Sequence, residues 1–284
     1  MKEFPIPVVS IGPGSHDTPE DQLTYLEMPK EMSTFSMPGL PDPETARQAT
    51  EARAVLRWLA ETTAGWPQPP AGSSFDLGLL DAANREILDQ VLGEGEVSII
   101  VAGERELRIQ ESVFTGVWRI RAVGPGRRVE RDLLEVGPVP EVALLAAREA
   151  SVPEVPVRDA PADAFSAPPV LAEIHDRAAS RHAGDPTHVI NLSLLPLSPA
   201  DGRHLAEVLA AGPVRILSRG YGNCRITSTI VRDTWWVQYV NGYGNPMVDS
   251  IEITDVPEVA IASPEDIAES ASRVREALDW LEQG

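Results

Sequence analysis

The fold is decided by residues 214–240, which read VRILSRGYGNCRITSTIVRDTWWVQYV. They align without a gap on residues 97–123, VSIIVAGERELRIQESVFTGVWRIRAV, at a constant offset of 117 residues. Extended to residues 80–143 and 197–260, the alignment has 20 identities in 64 positions, where unrelated sequences of this composition give about four or five. The chain therefore contains an internal duplication.

Each copy has the pattern of one helix followed by strands. In the second copy, Ser198, Pro199 and Asp201 form a helix-capping signal, and Gly212 is predicted to end that helix. Alternating apolar residues then predict short strands with short links, which favours an antiparallel sheet. The predicted fold class is α+β, with two tandem homologous modules, each a helix packed on a mainly antiparallel sheet, plus an extended N-terminal segment.

The flanking composition predicts the domain organisation. Residues 1–42 are rich in Pro, Met, Gly and acidic residues, so they are predicted to be extended or disordered. An amphipathic helix follows over 43–65, and the first α+β module covers 72–150. The Pro-, Ala- and Asp-rich stretch 151–169 is predicted to be a linker, and the second module with its C-terminal helix covers 170–284.

Both flanking helices are predicted to bury an apolar stripe. The stripe of the helix over 43–65 consists of Ala52, Val55, Leu56 and Leu59. The closing helix starts at a cap formed by Ser263 and buries Ile267, Ala271, Val274, Leu278 and Leu281.

Charge and composition exclude several function classes. Lys and Arg number 24 against 43 Asp and Glu, which gives a net charge of -19. Such a chain repels phosphate backbones and would attract a basic partner, so nucleic acid is not an expected ligand. No apolar run is long enough for a membrane helix and the N-terminus shows no secretory signal, so the cytoplasm is the expected compartment and no membrane partner is expected.

The single cysteine, Cys224, bears on metal and enzyme chemistry. It aligns with Leu107 on the apolar face of its strand, so a buried thiol is the prediction and a reactive thiol the alternative. One thiol cannot form a zinc site alone, and the five histidines show no metal-ligand spacing. Because no nucleophile–base pair or carboxylate dyad is visible, we expect no enzyme activity, no catalytic residues and no cofactor.

The two copies act as an internal control for candidate binding residues. Trp118 and Trp235 agree, which indicates a shared core aromatic. Trp236 instead aligns with Arg119, on the opposite strand face from Trp235. A position that is charged in one copy is not expected in the deep core. Trp236 is therefore either an exposed interface anchor or a residue packed under the other module or the closing helix.

Glu111 shares a strand face with the apolar residues Leu107 and Ile109. It could be a buried functional carboxylate, but we predict that it pairs with Arg119 or Arg121 across the hairpin. No second carboxylate can be placed beside it from the sequence, so an acid/base dyad is not expected.

The tetrapeptide Gly-Tyr-Gly-Asn occurs twice, at residues 220–223 and 242–245. A turn at 233–234 between the two strands would bring both tetrapeptides to the same end of the hairpin. Tyr221 and Tyr243 would then share one rim, which suits recognition of a partner. The alternative is plain turn chemistry, because tight turns favour Gly and Asn.

Several of these stretches resemble a known family. The strings IQESVFTGVWRIR (109–121), LSRGYGNCRITST (217–229) and WWVQY (235–239) closely resemble the hydrogenase expression/formation proteins of the HupH/HyaF type. The opening FPIPV from Phe4 and the Met-Pro segment near residue 28 resemble the N-terminus of that family. The resemblance covers nearly the whole chain.

The resemblance implies an accessory, non-enzymatic role in the maturation of nickel–iron uptake hydrogenases. It implies that the chain holds the precursor of the iron–sulfur small subunit in the cytoplasm before twin-arginine export, with other maturation proteins as further partners. Neither catalytic residues nor a cofactor carry over. The partner-binding candidates are Tyr221, Gly222, Asn223, Cys224, Arg225, Trp236 and Tyr243. The alternative function is a metal or iron–sulfur cluster handling protein that uses Cys224.

Overall fold

The fold is given by a computed structural model, which describes residues 50–68, 73–220, 222–241, 243 and 245–283. The segment 1–42 and the start of the helix predicted over 43–65 lie outside these residues. The described helices are α1 Thr50–Ala64, α2 Ala82–Leu92, α3 Glu141–Glu149, α4 Ala167–Ser180, α5 Pro199–Leu209 and α6 Pro264–Gln283. The strands are β1 Ser74–Asp76, β2 Val97–Val101, β3 Glu106–Glu111, β4 Val117–Val123, β5 Val129–Val136, β6 His188–Asn191, β7 Ala211–Ser218, β8 Asn223–Thr229, β9 Thr234–Val240 and β10 Pro246–Ile253.

The strands of the described chain form one antiparallel sheet in the order β1-β5-β4-β3-β2-β7-β8-β9-β10-β6. The first half, residues 50–149, contributes five adjacent strands. The second half, residues 167–283, contributes the other five. The combination of helices with an antiparallel sheet confirms the predicted α+β class.

The two halves meet where β2 pairs with β7. Ile99 lies opposite Ile216, and these two residues are 117 positions apart in the sequence. The joint therefore sets equivalent residues of the two halves against each other. The sheet continues across the joint without a break.

Equivalent strand pairs have the same register in both halves. Leu107 lies opposite Ala122 in the β3–β4 pair, and Cys224 lies opposite Tyr239 in the β8–β9 pair, each 117 residues later. The register irregularity between β4 and β5 next to Ala122 recurs between β9 and β10. The offset found in the sequence is thus also an offset in strand pairing.

Trp118 and Trp235 occupy equivalent positions in one apolar core that spans the central strands. The indole N–H of Trp118 donates to the carbonyl of Gly137 at 2.8 Å, and that of Trp235 donates to the carbonyl of Thr254 at 3.2 Å. Both indoles are buried. The predicted shared core aromatic is confirmed. α3 lies on this face of the sheet, where its Ala143 is buried in the same core.

Helices cover the opposite face of the sheet, with α1 and α2 over the first half and α4 and α5 over the second. The side chain of Asn84 in α2 accepts a hydrogen bond from the Ala52 N–H in α1 at 3.0 Å. Asp201 of α5, which is 117 residues later, accepts one from the Ala167 N–H at the start of α4 at 2.8 Å. Ser198 and Asp201 also form the predicted capping box of α5.

The closing helix α6 packs on the first half, although it follows the second half in the sequence. Its predicted cap is present, because the Asp266 N–H donates to the Ser263 hydroxyl at 3.1 Å. The predicted stripes of α1 and α6 are buried, and most of their residues meet in one core. That core contains Ala52, Val55, Leu56 and Leu59 of α1 with Ile267, Val274, Leu278 and Leu281 of α6.

The stretch 151–169 crosses from the first half to the second. Its Val152 N–H donates to the Ile230 carbonyl at 2.7 Å, and the Arg232 N–H donates to the Val152 carbonyl at 2.9 Å. These bonds attach the stretch to the turn between β8 and β9. The helix α4 then begins at Ala167.

The prediction that Gly212 ends α5 is wrong. The helix ends at Leu209, and the positive φ of 38° that turns the chain belongs to Ala210. Gly212 lies inside β7, where a Cβ atom would come within 2.5 Å of the Ser228 hydroxyl oxygen. Its equivalent, Gly95, faces the same constraint, so both copies need glycine for close strand approach and not for a helix stop.

Candidate functional site

One end of the second half's sheet brings the β7–β8 and β9–β10 loops together. Asn223 at the start of β8 lies opposite Val240 at the end of β9, so the two Gly-Tyr-Gly-Asn segments are at the same end of the hairpin. Asn223 is exposed, and Tyr243 is 93% exposed. Gly222 has a φ of 98°, a conformation that favours glycine. Tyr221 lies outside the described residues.

We define the rim as the described residues among 219–223 and 241–248. Exposed apolar side chains lie both in the rim and next to it. Met247 is 69% exposed, and Leu194 in the neighbouring turn is 80% exposed. The Asp249 N–H donates to the Ser193 hydroxyl at 2.8 Å, which holds that turn beside β10. The rim thus offers both apolar and aromatic contact area to a partner.

Trp236 is half-buried and packs against the apolar core under α4 and α5 of its own half. Its indole N–H donates to the Asp249 carboxylate at 2.5 Å. The side chain is therefore neither a freely exposed anchor nor a residue covered by the first half or the closing helix. Burial raises the pKa of Asp249, while the hydrogen bonds from Trp236 and Gln238 lower it.

The equivalent position in the first half, Arg119, is a buried cation. Its guanidinium donates to both carboxylate oxygens of Asp132, at 2.9 and 2.7 Å, and it also contacts Asp89. Asp132 and Asp249 are equivalent residues, and their carboxylates accept hydrogen bonds from an arginine in the first half and from a tryptophan in the second. This exchange explains why a charge and an indole can occupy the same position.

The predicted pairing of Glu111 with Arg119 or Arg121 is wrong. Both arginines approach Asp89 and Asp132 on the helix-covered face. Glu111 points to the opposite face and accepts a hydrogen bond from the Gly116 N–H at 3.1 Å. Burial raises its pKa to about 7.

Cys224 is fully buried in the central core, on the face opposite to Arg225. Burial and the nearby charge of Glu252 raise the pKa of its thiol to about 12, although a hydrogen bond with Tyr239 lowers it. A thiol with this pKa holds almost no thiolate at neutral pH. The surroundings of Cys224 therefore match the buried-thiol prediction and give no support to cluster handling.

Arg225 lies on the helix-covered face of β8, opposite Leu217 of β7 and Gln238 of β9. It is half-buried. Within the described chain, no carboxylate makes an ion pair with it.

The described residues contain no group of three or more His, Cys, Asp or Glu side chains that could hold a metal ion. Within the same residues, no helix is long and apolar enough to cross a membrane.

Sequence reasoning missed Asp249 and the arginines Arg215 and Arg219, which lie on the same face as Arg225. The identity of Asp249 with Asp132 in the repeat alignment was a usable signal, because a carboxylate retained in both copies on a half-buried face needs a donor. No sequence pattern indicated that Arg215 and Arg219 lie near Arg225, because this proximity depends on the β7–β8 register.

Comparison with known proteins places this geometry in context. The chain is 45% identical to the hydrogenase expression/formation protein HoxQ of Cupriavidus necator, over 99% of both chains. It is 40% identical to the hydrogenase expression/formation protein HupH of Rhodobacter capsulatus over 99% of both chains, and 32% identical to the hydrogenase-1 operon protein HyaF of Escherichia coli K12 over 95% of both. A solved structure of the hydrogenase expression protein HupH from Thiobacillus denitrificans matches with 29% identity and a TM-score of 0.34, over 41% of this chain and 95% of that one.

The relatives define a class, the proteins of hydrogenase expression and formation. The model of the C-terminal conserved region of the HupH hydrogenase expression protein matches residues 49–153 and 164–281. The chain belongs to the HupH hydrogenase expression protein family, as the sequence resemblance implied.

Proposed function

We propose that the chain is a non-catalytic accessory protein that binds the precursor of the iron–sulfur small subunit of a nickel–iron hydrogenase in the cytoplasm, before that subunit is exported. Other maturation proteins are further candidate partners. The observation that carries the proposal is family membership, with relatives named for hydrogenase expression and formation along nearly the whole chain.

The rim supports a binding role. Tyr243 and Met247 are exposed there, and Asn223 is exposed beside them. Aromatic and methionine side chains are enriched at protein interfaces, and here they stand on loops held by a rigid sheet. Arg225 lies two residues along β8 from Asn223 and adds a cation to this surface.

The roles of the other candidates follow from where they lie. Trp236 supports the strand under the rim through Asp249, so its contribution to binding is indirect. Cys224 is buried on the far face, so we assign it to the core. Gly222 shapes the loop, and we keep Tyr221 as a candidate on its sequence position alone.

Affinity capture tests the proposal. The tagged chain is recovered from hydrogen-grown cells that are assembling the hydrogenase, and the precursor small subunit is expected to come with it. Recovery of the bare chain under these conditions contradicts the proposal. Tyr243→Ala is expected to lower the recovered subunit several-fold. Leu79→Ala, at a 90% exposed apolar side chain that follows the outermost strand of the first half, is the control and should leave it unchanged.

We also infer that the two halves are copies of one unit, with 72–150 and 170–284 as the two modules and 151–169 between them. The repeated 117-residue offset in strand pairing supports this inference. So do the equivalent Trp118 and Trp235 hydrogen bonds and the equivalent helix contacts of Asn84 and Asp201. In this scheme the unit also includes α1, because α4 lies 117 residues after it.

A further inference from the structure

Three half-buried arginines of the second half share one face of the sheet. They are Arg215, Arg219 and Arg225. Arg225 lies opposite Leu217, which is two residues from both Arg215 and Arg219, and side chains two residues apart on a strand point the same way. Arg219 continues the strand pairing, because its N–H donates to the Glu96 carbonyl at 3.2 Å.

None of the three makes an ion pair with a described carboxylate. The Nε of Arg215 is buried and lacks a hydrogen-bond partner among the described residues. Glu96 lies near Arg219, but its carboxylate turns toward Gly220, where a Cβ atom would come within 2.1 Å of it. Half-buried guanidinium groups that pair with no described carboxylate are unexpected in a chain with a net charge of -19, because carboxylates are abundant.

One of the three positions also carries an arginine in the first half, and there it pairs with a carboxylate. Arg108, the equivalent of Arg225, donates to the carboxylate of Glu106 at 2.7 Å. The equivalent of Glu106 is Asn223, which carries no charge. The second half therefore keeps the arginine and lacks its acid.

A second carboxylate of the first half is also absent from the second, together with the two arginines that it contacts, which become Trp236 and Gln238. Asp89 of α2 contacts Arg119 and lies 3.6 Å from Arg121, and its equivalent is Ala206. Relative to the first half, the second half lacks the acids Glu106 and Asp89 and the arginines Arg119 and Arg121. It gains two arginines, Arg215 in place of Ser98 and Arg219 in place of Ala102.

From this charge pattern we infer that Arg215, Arg219 and Arg225 bind the carboxylates of an acidic, extended segment of a protein partner. Arginine binds carboxylates in bidentate geometry, which would neutralise the three guanidinium groups and give the buried Nε of Arg215 an acceptor. The patch extends over four residues of strand, about 13 Å, which is too long for one small anion to contact at both ends. It also lies beside the rim, so a segment bound there would continue onto Tyr243 and Met247.

The inference rests on the proposed function only in assuming that the ligand belongs to a protein. Its test therefore uses a synthetic probe and no hydrogenase subunit. Failure of the capture experiment leaves this inference standing, and failure of the peptide experiment leaves the proposed function standing.

The probe is a fluorescein-labelled hexaglutamate peptide with an amidated C-terminus, and its anisotropy is measured against the full chain at low salt. We expect saturable binding that weakens as salt is added, and no binding of hexaglutamine. Arg225→Gln and Arg215→Gln should each weaken binding about tenfold or more, since each removes a charge-assisted contact. Arg177→Gln, an exposed arginine of α4 with the same charge change, should leave binding within about twofold.

Three outcomes overturn the inference. The first is the absence of saturable hexaglutamate binding to the wild-type chain. The second is an equal loss in Arg177→Gln and Arg225→Gln, which indicates a general charge effect. The third is displacement of the probe by inorganic phosphate as readily as by unlabelled peptide, which indicates a site for free anions. Circular dichroism confirms folding of each variant, and Arg225→Lys, which keeps the charge, should restore part of the affinity.

Discussion

Asp132, which is buried, and Asp249, which is half-buried, illustrate how an acid under the helices constrains its neighbours. Each lies on the helix-covered face of an equivalent strand, and each is satisfied by a side chain from the adjacent strand. In the first half the donor is Arg119, and in the second it is Trp236. Each carboxylate requires a hydrogen-bond donor. That donor can be charged or neutral, because the surroundings of the two carboxylates differ.

Glu111 gives the first prediction. Its pKa is raised to about 7 from an ordinary 4.5, so the folded state holds a proton that the unfolded state releases between these two values. Stability should therefore fall as the pH rises from about 4.5 through 7. Glu111→Gln keeps an acceptor for the Gly116 N–H without the buried charge, and it should stabilise the protein by about 1–3 kcal/mol at pH 8.

Urea unfolding at a series of pH values checks this prediction. The wild-type and Glu111→Gln curves should converge below about pH 4.5. Glu207→Gln, an exposed carboxylate of α5, is the control and should follow the wild type throughout. A wild-type stability that is flat between pH 5 and 8 would contradict the assignment.

Cys224 gives the second prediction. With a pKa of about 12 and no exposure, its thiol should resist Ellman's reagent at pH 8 in the native protein. The same thiol should react rapidly and completely once the chain is unfolded in denaturant. Fast labelling of the native protein would show that the thiol is accessible and would revive a reactive role.

At the scale of elements, close strand approach depends on glycine at specific positions. A Cβ atom at Gly95 would come within 2.3 Å of the Ser112 carbonyl oxygen, which is backbone and cannot rotate away. At Gly103 the nearest atom would be 3.5 Å away. The repeat alignment retains both glycines, Gly95 as Gly212 and Gly103 as Gly220, so sequence identity alone does not separate a constrained glycine from a tolerant one.

The third prediction follows from this difference. Gly95→Ala should lower the free energy of unfolding by about 2–3 kcal/mol, because the two strands must move apart. Gly103→Ala, the matched control, should change it by less than about 0.5 kcal/mol. Urea denaturation of the three proteins measures both values. Equal effects of the two substitutions would show that the strand contact at Gly95 relaxes freely.

The outer strands β1 and β6, which pair with β5 and β10, were not predicted. The pairing of the consecutive strands β2 to β5 and β7 to β10 could be predicted from the sequence, because short links between alternating strands leave few antiparallel arrangements. The joint between halves could not. All five residues of β2 are buried, so its pattern does not show which strand lies beside it. The pairing of Glu111 was wrong for a related reason, since Arg119 found acids on the other face that its own hairpin does not contain.

At the scale of the whole molecule, α6 ties the end of the chain to its first described helix. The core it enters contains Leu56 of α1 and Leu134 of β5, and it also includes Ala262 just before α6. An amphipathic pattern shows that a helix has an apolar face, but not which surface receives it. The stripe of α6 was therefore predictable, whereas its position over the first half was not.

The fourth prediction concerns this contact. Val274→Ala removes fully buried methyl groups and should destabilise the protein by about 1–3 kcal/mol. Hydrogen–deuterium exchange should accelerate in α1 of the first half and remain unchanged in α4 of the second. Glu276→Ala, on the exposed side of α6, is the control. Faster exchange in α4 than in α1 would contradict the packing.

The candidate site was only partly predictable at this scale. The sequence predicted that the Tyr243 loop and Asn223 lie at one end of the second half, because antiparallel pairing of two strands fixes which loops share an end. The arginine patch could be recognised only from the β7–β8 register and from the loss of two acids that belong to separate elements of the first half, Asp89 of α2 and Glu106 of β3. Charge balance over a sheet face is a property of the assembled molecule, and the net charge of the chain pointed to the opposite sign.

The contact between Ile99 and Ile216 bears on how the two halves could evolve. A lone unit would leave this strand as an open edge, and two separate polypeptides joined there about a two-fold axis would build the same sheet as a homodimer. In a homodimer every substitution appears twice, so its two sides cannot diverge. Gene fusion removes that restriction, and afterwards one edge can retain its acids while its twin becomes basic.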